Sequence, residues 1–432
     1  MKIAVVGSGI AGLGAAWALS RNHEITMYEA TDHLGGHANT AEVDDGGRSV
    51  PVDTGFIVYN ERNYPNLTRL FAAEAVPTEA SDMSFSVSVG GGAFEYQGRA
   101  TGLLAQPANL ADASYRRMVR EILRFTREAR ELLGSGSRIS IGAYLERHGY
   151  SSAFRDDYLL PITACIWSSN LDAMLDFPAE TMVAFLDNHG LLQVRHRPQW
   201  RTVTGGSREY VRRVVEPFRR GVRLATPVRE LRRGPEDVRV FDGHGGSEHF
   251  DHVVMATHAD TTLALLGTGA TAEERTLLGA FRFQENRAVL HRDPSLMPAR
   301  RRAWSSWNYL AERRGHADEV SLSYWMNRLQ NLRTERPVIV TLNPSREPRD
   351  AVAEYVYHHP AYDRASVDAQ AALPSIQGVN RTWFCGSWSG FGFHEDGLRS
   401  GLAVAAALGA PAPWWPQASA PAAATPLAGV GA

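Results

Sequence analysis

The chain has 432 residues, 44% of them hydrophobic, with a formal net charge of −2 and a pI near 6.7. That length exceeds what one hydrophobic core serves, so two lobes sharing a cleft are expected, and the balanced charge excludes the electrostatic footprint of a nucleic-acid binder. Two cysteines, Cys165 and Cys385, exclude a disulfide framework and point to a reducing compartment, and Lys2 is the only lysine in the chain.

The first elements are the most informative. In MKIAVVGSGIAGLGAAWALSRNHEITMYEA, Lys2 to Val6 reads as a buried strand and Ile10 to Ser20 repeats Ala, Leu and Trp at helical spacing. Gly7, Gly9 and Gly12 form G-x-G-x-x-G at the junction, with Ile10 and Ala11 opening the helix. The first glycine permits the tight turn, the second lets backbone approach a pyrophosphate, and the third lets helix and strand pack closely. A second strand, Glu24 to Tyr28, is followed by Glu29 and Ala30, which places a carboxylate where it accepts hydrogen bonds from ribose hydroxyls. The whole unit therefore reads as a dinucleotide site.

Further along, a helix is expected over Tyr64 to Glu74, and MSFSVSVGG alternates like a strand. Helical patterns dominate from about Ser114 to Gly190 and suggest a cap over a substrate cleft. VTGGSREYVRRVVEPF reads as a Gly-Gly turn, an N-cap at Ser207 and an amphipathic helix. Short strands are expected over Val222 to Arg232, Val238 to Phe241 and Val253 to Ala256. WSSWNYL, VSLSYWMN and PVIVTLN read as antiparallel strands of the second lobe, TWFCGSW as a strand, and GLRSGLAVAAALG as a helix. The arginines at Arg300 to Arg302 and between Arg212 and Arg223 read as solvated faces.

FAD is longer than NAD and must be gripped along its length, so distant segments have to return to one groove. Gly35 and Gly36 offer bare backbone soon after Glu29. Near the other end of the chain, Gly386 closes a strand and Asp396-Gly397 opens a helix whose dipole suits the flavin N1–C2=O region.

These residues resemble the flavin-dependent amine oxidase and phytoene desaturase superfamily, in which the glycine fingerprint is followed by E-x-x-x-x-x-G-G and a C-terminal A-G…G-A-x-x-S-G. The matches here are Gly7, Gly9, Gly12, Glu29, Gly35, Gly36, Gly386, Asp396, Gly397, Ser400 and Gly401, with Leu398 inside the last motif. DTGFIVYN, SDMSFSVS, RPQWRTVTGGSREYV, YWMNRLQ and WFCGSWSGFGFHEDGLRSG resemble a bacterial subfamily of predicted NAD/FAD-binding oxidoreductases associated with cyclopropane, methyl-branched and furan fatty-acid synthesis. The resemblance implies an α/β fold: a Rossmann-type FAD-binding domain (1–60, 201–265, 376–410) with a mixed antiparallel-sheet and helical substrate domain (61–200, 266–375). Residues 411–432, rich in Pro and Ala, are expected to be a disordered tail.

Two departures matter. His37 stands where the wider family has Arg, and the lysine that many amine oxidases use beside flavin N5 has no counterpart, since Lys2 begins a strand. Amine oxidation with fast oxygen turnover is therefore disfavoured.

A flavin desaturation needs a C–H aimed at N5 and a base for the adjacent proton. The candidates are His394, Glu395 and His37. The plainer readings are a histidine bonded to backbone at a helix start, an acid that complements the helix dipole, and, for Tyr59, ordinary core. Cys385 reads as a buried thiol before a glycine rather than a covalent flavin anchor, and His358-His359 as exposed strand-end residues. No H-E-x-x-H or cysteine cage suggests a metal. Trp304, Trp307, Tyr309, Tyr324 and Trp325 make either an apolar substrate wall or an ordinary sheet core.

The expected activity is FAD-dependent hydride removal from an apolar substrate, desaturating a fatty acyl chain. A flavin amine oxidase, a non-catalytic flavin-binding accessory protein and a nicotinamide enzyme are the alternatives. A small-molecule or lipid acyl substrate, no nucleic acid and a cytoplasmic location are expected. If the substrate is a phospholipid, the inner membrane face is expected to be touched peripherally, although no basic amphipathic helix announces it. The electron acceptor stays open.

Overall fold

The first thirty residues fold as their pattern requires, into β1 (Lys2–Val6), α1 (Ile10–Leu19) and β2 (Glu24–Tyr28). The structure is a computed structural model and describes residues 1–99, 102–167, 174–188, 190–193, 198–312 and 320–416. β1 and β2 pair in parallel from Lys2 opposite Glu24 to Val6 opposite Tyr28. β3 (Val222–Arg223), β4 (His252–Met255) and β5 (Thr382–Phe384) complete an all-parallel sheet in the order β3-β2-β1-β4-β5. Such a sheet must be covered on both faces, and β1 shows how: Ile3 and Val5 join the core around α1, whereas Ala4 and Val6 face a second core containing Phe250, Leu266 and Trp388.

The helices that bear on the site are α2 (Pro65–Ala73), α3 (Ala113–Glu128), α4 (Ala179–Asn188), α5 (Arg208–Val215) and α6 (His394–Ala407). α6 lies on α1 at a distance that only glycine allows. A Cβ on Gly397 would sit 2.9 Å from Ile10, and one on Gly401 would sit 2.1 Å from the Ala11 carbonyl oxygen.

The second lobe carries a seven-stranded sheet in the order 351–361, 282–291, 339–342, 320–325, 307–311, 85–89, 94–97. Only the pairing of Trp307–Ala311 with Phe85–Val89 is parallel. Its core is shared with α3 and α4, which makes the expected helical cap part of the substrate lobe. The hairpin of Thr40–Asp45 and Arg48–Asp53 and the small sheet of Tyr59–Asn60, Trp200–Val203 and Thr78–Ser81 fill the seam between the lobes.

Four expectations need correction. The strand expected over Val222 to Arg232 breaks at Ala225, where φ is 47°, and resumes as Val228–Arg233. α6 begins at His394, a turn earlier than expected, because the Asp396 carboxylate accepts from the Phe393 N–H at 3.1 Å and caps it. The tail does not leave the surface at residue 411: Ala412 is buried and Trp414 stacks on Trp17 at 5.4 Å. Residues 417–432 lie outside the described residues. Finally, Trp304 and Trp325 form no substrate wall; they meet edge to face in a small cluster with Met297 and Ile339, with Arg301 over the Trp304 ring. Tyr309 and Tyr324 are buried in the main core of the substrate lobe, with Trp307 packed against it.

Among the described residues no helix is long and apolar enough to cross a membrane, and no group of three or more His, Cys, Asp or Glu side chains is arranged to hold a metal ion.

Candidate active site

The site is built at the carboxyl ends of the parallel strands, where open α/β sheets hold their ligands. Gly7 adopts a φ of 102°, and a Cβ on Gly12 would lie 2.0 Å from the Gly7 carbonyl oxygen, so the turn admits no larger residue at either place. Gly9 is different: a Cβ there would meet nothing within 4 Å, and no side chain caps α1. The N-terminal amides of α1, including those of Ile10 and Ala11, whose side chains are buried, are thus left to a ligand. Gly36, at a φ of 57°, brings the second loop against Gly9, with a Cβ position 3.2 Å from the Gly9 Cα. The Gly35 N–H donates to the Ser8 carbonyl at 3.2 Å and locks the two loops together.

Glu29 is fixed before any ligand arrives. One carboxylate oxygen accepts from the Ser8 amide and hydroxyl at 3.0 and 2.5 Å, and the other from the Thr31 amide and hydroxyl at 2.9 Å each. It stays partly exposed, and Ala30 beside it is exposed. An open glycine cradle, an uncapped helix N-terminus and a pre-oriented partly exposed carboxylate make a donor and acceptor set that fits the pyrophosphate and ribose of FAD.

The C-terminal candidates act mainly by holding α6 in place. Ser400 donates to the Gly397 carbonyl at 2.7 Å and receives the Gly386 N–H at 2.9 Å. Leu398 is fully buried and fills the place where Gly14 has no side chain. Asp396, pushed up to about 6 by burial, caps its own helix. Their effect is to set the N-termini of α1 and α6 side by side at one crevice. Cys385 is buried, and desolvation pushes its thiol up to about 12, far from a reactive thiolate. The side chain of Cys165 lies outside the described residues.

Of the proposed bases, Glu395 is spent. Its carboxylate accepts from the Asn66 amide at 3.1 Å, the Asn66 side chain at 2.7 Å and the Leu67 amide at 3.1 Å, and so caps α2. His394 stacks on Phe56 at 3.7 Å, and its Nε2 lies 3.0 Å from the Tyr210 hydroxyl. Burial pushes this imidazole down to about 3 and raises Tyr210 well above the usual phenol value, so the phenol donates and the neutral ring accepts. Tyr59 packs edge to face on Tyr64 and Phe71, as core.

His37 is placed differently. Its ring lies 4.9 Å from Tyr357, 5.6 Å from His359 and 6.5 Å from His258, which follows β4. Burial, then the neighbouring imidazoles, hold it well below the usual histidine range. The expectation that His358 and His359 are both exposed strand-end residues fails for His359: it turns inward, 3.2 Å from the Asn286 amide nitrogen.

Several site residues carried no role in the sequence reading. Asp53, in DTGFIVYN, accepts from Thr40 at 2.6 Å, from the Ser207 amide and hydroxyl at 2.8 Å each and from Gln330 at 2.9 Å. Burial pushes it up to about 6. Ser207 thus precedes α5 as expected, but its hydroxyl serves Asp53 rather than the helix. Phe185 of α4 stacks on Phe393 at 5.0 Å and meets Phe391 at 6.0 Å, which brings the cap onto the start of α6. The Tyr362 hydroxyl, beside Gly392, is buried without a hydrogen-bond partner among the described residues, a donor that asks for one. A cavity of about 580 Å³ lined by Ser20, His23 and Arg219 lies at the amino ends of the parallel strands, away from this chemistry.

A parallel sheet with a glycine cradle, joined through a seam to a large mixed sheet, defines a two-lobed flavin oxidoreductase with FAD as its cofactor. The profile of the family described as "Flavin containing amine oxidoreductase" matches residues 10–272, more than half of the chain, and the chain belongs to that family. It is 37% identical over 90 residues, 21% of this chain, to the carotenoid phi-ring synthase of Chlorobaculum tepidum, and spans only 13% of that protein. Its fold is similar to that of an engineered putrescine oxidase variant, with a TM-score of 0.69 and 16% identity over 94% of this chain and 98% of that one. A CLA-producing fatty acid isomerase from P. acnes has a TM-score of 0.64 and 14% identity over 92% and 96% of the two chains.

Proposed function

We propose that this flavin oxidoreductase removes hydride from an apolar acyl chain and leaves a carbon–carbon double bond. The observation that carries the reading is the start of α6, which offers aromatic surface and whose carboxylates are already engaged. Phe185, Phe391 and Phe393 face one another there, and Glu395, Asp396 and Asp53 are each engaged by backbone or side-chain donors. An ammonium substrate finds no free carboxylate among them, whereas an acyl chain asks only for aromatic surface. The names of the carotenoid phi-ring synthase and the fatty acid isomerase point to apolar compounds too, in accord with this.

When bound, FAD supplies the two-electron acceptor for the hydride. The loops at Gly9, Gly36 and Glu29 hold it, and the cap brings Phe185 over the reacting chain and excludes water. The neutral imidazole of His37, beside His258 and His359, takes the adjacent proton. Replacing His37 with Gln is expected to lower kcat by about a hundredfold, as loss of a general base does, while FAD content stays unchanged. A fall of less than about threefold removes His37 from this role.

The test of the substrate is an absorption spectrum of the purified protein, repeated anaerobically with methyl-branched and straight-chain phospholipids and with an amine panel. Bleaching of the flavin bands by lipid alone supports the reading. Bleaching by amines instead, or by nothing, overturns it.

A further inference from the structure

The substrate lobe presents a surface that the site does not use. On α3, Tyr115, Met118, Glu121 and Phe125 are buried. The opposite face, at helical steps of three and four, carries Arg116, Arg120, Leu123 and Arg127, all exposed. Leu123 keeps 55% of its surface in solvent, and Leu110 and Leu104, in the turns leading to the helix, keep 46% and 49%. The Arg116 guanidinium donates to the Leu110 carbonyl at 2.6 Å, which sets that leucine beside the arginine row. The acids of α3 are drawn to the inner side, Glu121 by Ser151 and Glu128 by Tyr150. Arg116, Arg120 and Arg127 have no carboxylate partner among the described residues. In a chain of net charge −2, this face gathers positive charge against the average.

We infer that this face of α3 docks the protein on an anionic phospholipid surface. Guanidinium groups beside exposed leucines match a headgroup layer of phosphates over an acyl boundary. An acidic protein or a nucleic acid would satisfy the arginines and leave the leucines without a partner. The sequence alone hides this face because arginines and apolar residues are interleaved along the helix, and only the packing shows that Leu123 faces out. The surface also leads to the site. Arg130, one turn beyond Arg127, pairs with Asp187 of α4 at 2.9 Å, and Phe185 of the same helix stacks on Phe393. The inference rests on the exposed face itself, and the acyl reading above supplies only its purpose.

The test is sedimentation of the full FAD-loaded chain with vesicles of straight-chain saturated phosphatidylcholine, with and without about one-third phosphatidylglycerol. These lipids need not be substrates, so docking and turnover are judged separately. The wild-type protein is expected to sediment with the anionic vesicles alone and to be released by salt. At about fivefold per arginine, the triple variant R116Q/R120Q/R127Q is expected to lose about a hundredfold in partitioning, and L123S a smaller factor, both with unchanged melting temperature and flavin content. Wild-type protein left in the supernatant, a triple variant that sediments equally, or binding to heparin without binding to vesicles would each overturn the inference. Bleaching by dispersed lipid would still test the substrate.

Discussion

His394 shows how a side chain with catalytic chemistry is turned to structure. With Phe56 against its ring and the Tyr210 hydroxyl on Nε2, it is neutral and held at about 3. A histidine whose folded value is depressed binds fewer protons folded than unfolded, so stability falls as pH drops from 6.5 towards that value. His291 and His359, both pushed down to about 4 by burial, act in the same sense. Asp53 and Asp396, raised to about 6, act oppositely and gain stability as pH falls from 6 to 4. With His37, also held below the usual range, four histidines against these two carboxyls leave a net loss on acidification. His394→Gln, which keeps an acceptor for Tyr210, is expected to flatten that loss between pH 6.5 and 4 and to change kcat by less than about tenfold, below the range of a lost general base. Urea unfolding across this range checks it, and an unchanged pH slope would refute the assignment. At this scale the sequence identifies chemistry but not neighbours. The glycines of the cradle were legible because their role depends on lacking a side chain. Glu395 was not, because the amides that consume it belong to residues about 330 positions earlier in the chain.

At the scale of elements, the glycines of α6 and of the cradle occupy two kinds of position. Gly401 faces the Ala11 carbonyl across the contact of α6 with α1, and a Cβ there would lie 2.1 Å from that oxygen. Gly401→Ala is therefore expected to push the helices apart and cost about 1–3 kcal/mol, as overpacking does, in protein with or without FAD. Gly9 has a φ of −63° and open space at its Cβ position. Gly9→Ala is expected to leave the melting temperature of FAD-free protein within the range of a neutral substitution, since no atom is displaced. Its methyl instead occupies the approach of the pyrophosphate and is expected to weaken FAD binding at least about tenfold. Melting curves and FAD titration of both variants separate the roles, and a destabilised FAD-free Gly9→Ala protein would contradict the open cradle. The βαβ unit was legible because its contacts lie within thirty residues. The seven-stranded sheet pairs segments from residue 85 to residue 361; four of its strands were read, without their partners, and those at 94–97 and 282–291 were not read at all. The start of α6 was missed because Gly and aromatic residues precede it and its cap lies inside it.

For the whole molecule, the last described segment returns to the nucleotide domain. Trp414 stacks on Trp17 of α1 at 5.4 Å, and its indole N–H donates to Asn66, next to the start of α2, at 3.2 Å. Trp17 in turn donates to Glu74, which ends α2, at 2.6 Å. Composition hid this clasp, because Pro and Ala around Trp414 read as a tail, and a single aromatic ring carries no periodicity. Its consequence reaches the site, since α2 is capped by Glu395 of α6 and α6 rests on α1. The clasp therefore ties together three helices, α1, α2 and α6, of which α1 carries the FAD cradle at its start. Trp414→Ala removes a ring only part of which is buried, so about 2 kcal/mol of stability is expected to be lost, below the range for a fully buried tryptophan. Trp414→Phe, which keeps the stacking and loses the hydrogen bond to Asn66, is expected to recover more than half of it. Because the clasp supports the helices that carry the cradle, both variants are expected to bind FAD more weakly, so both losses are expected to grow when FAD is present. Denaturant titration of each variant with and without FAD checks the coupling; an equal loss in both states would make the clasp a local contact with no bearing on the cofactor site.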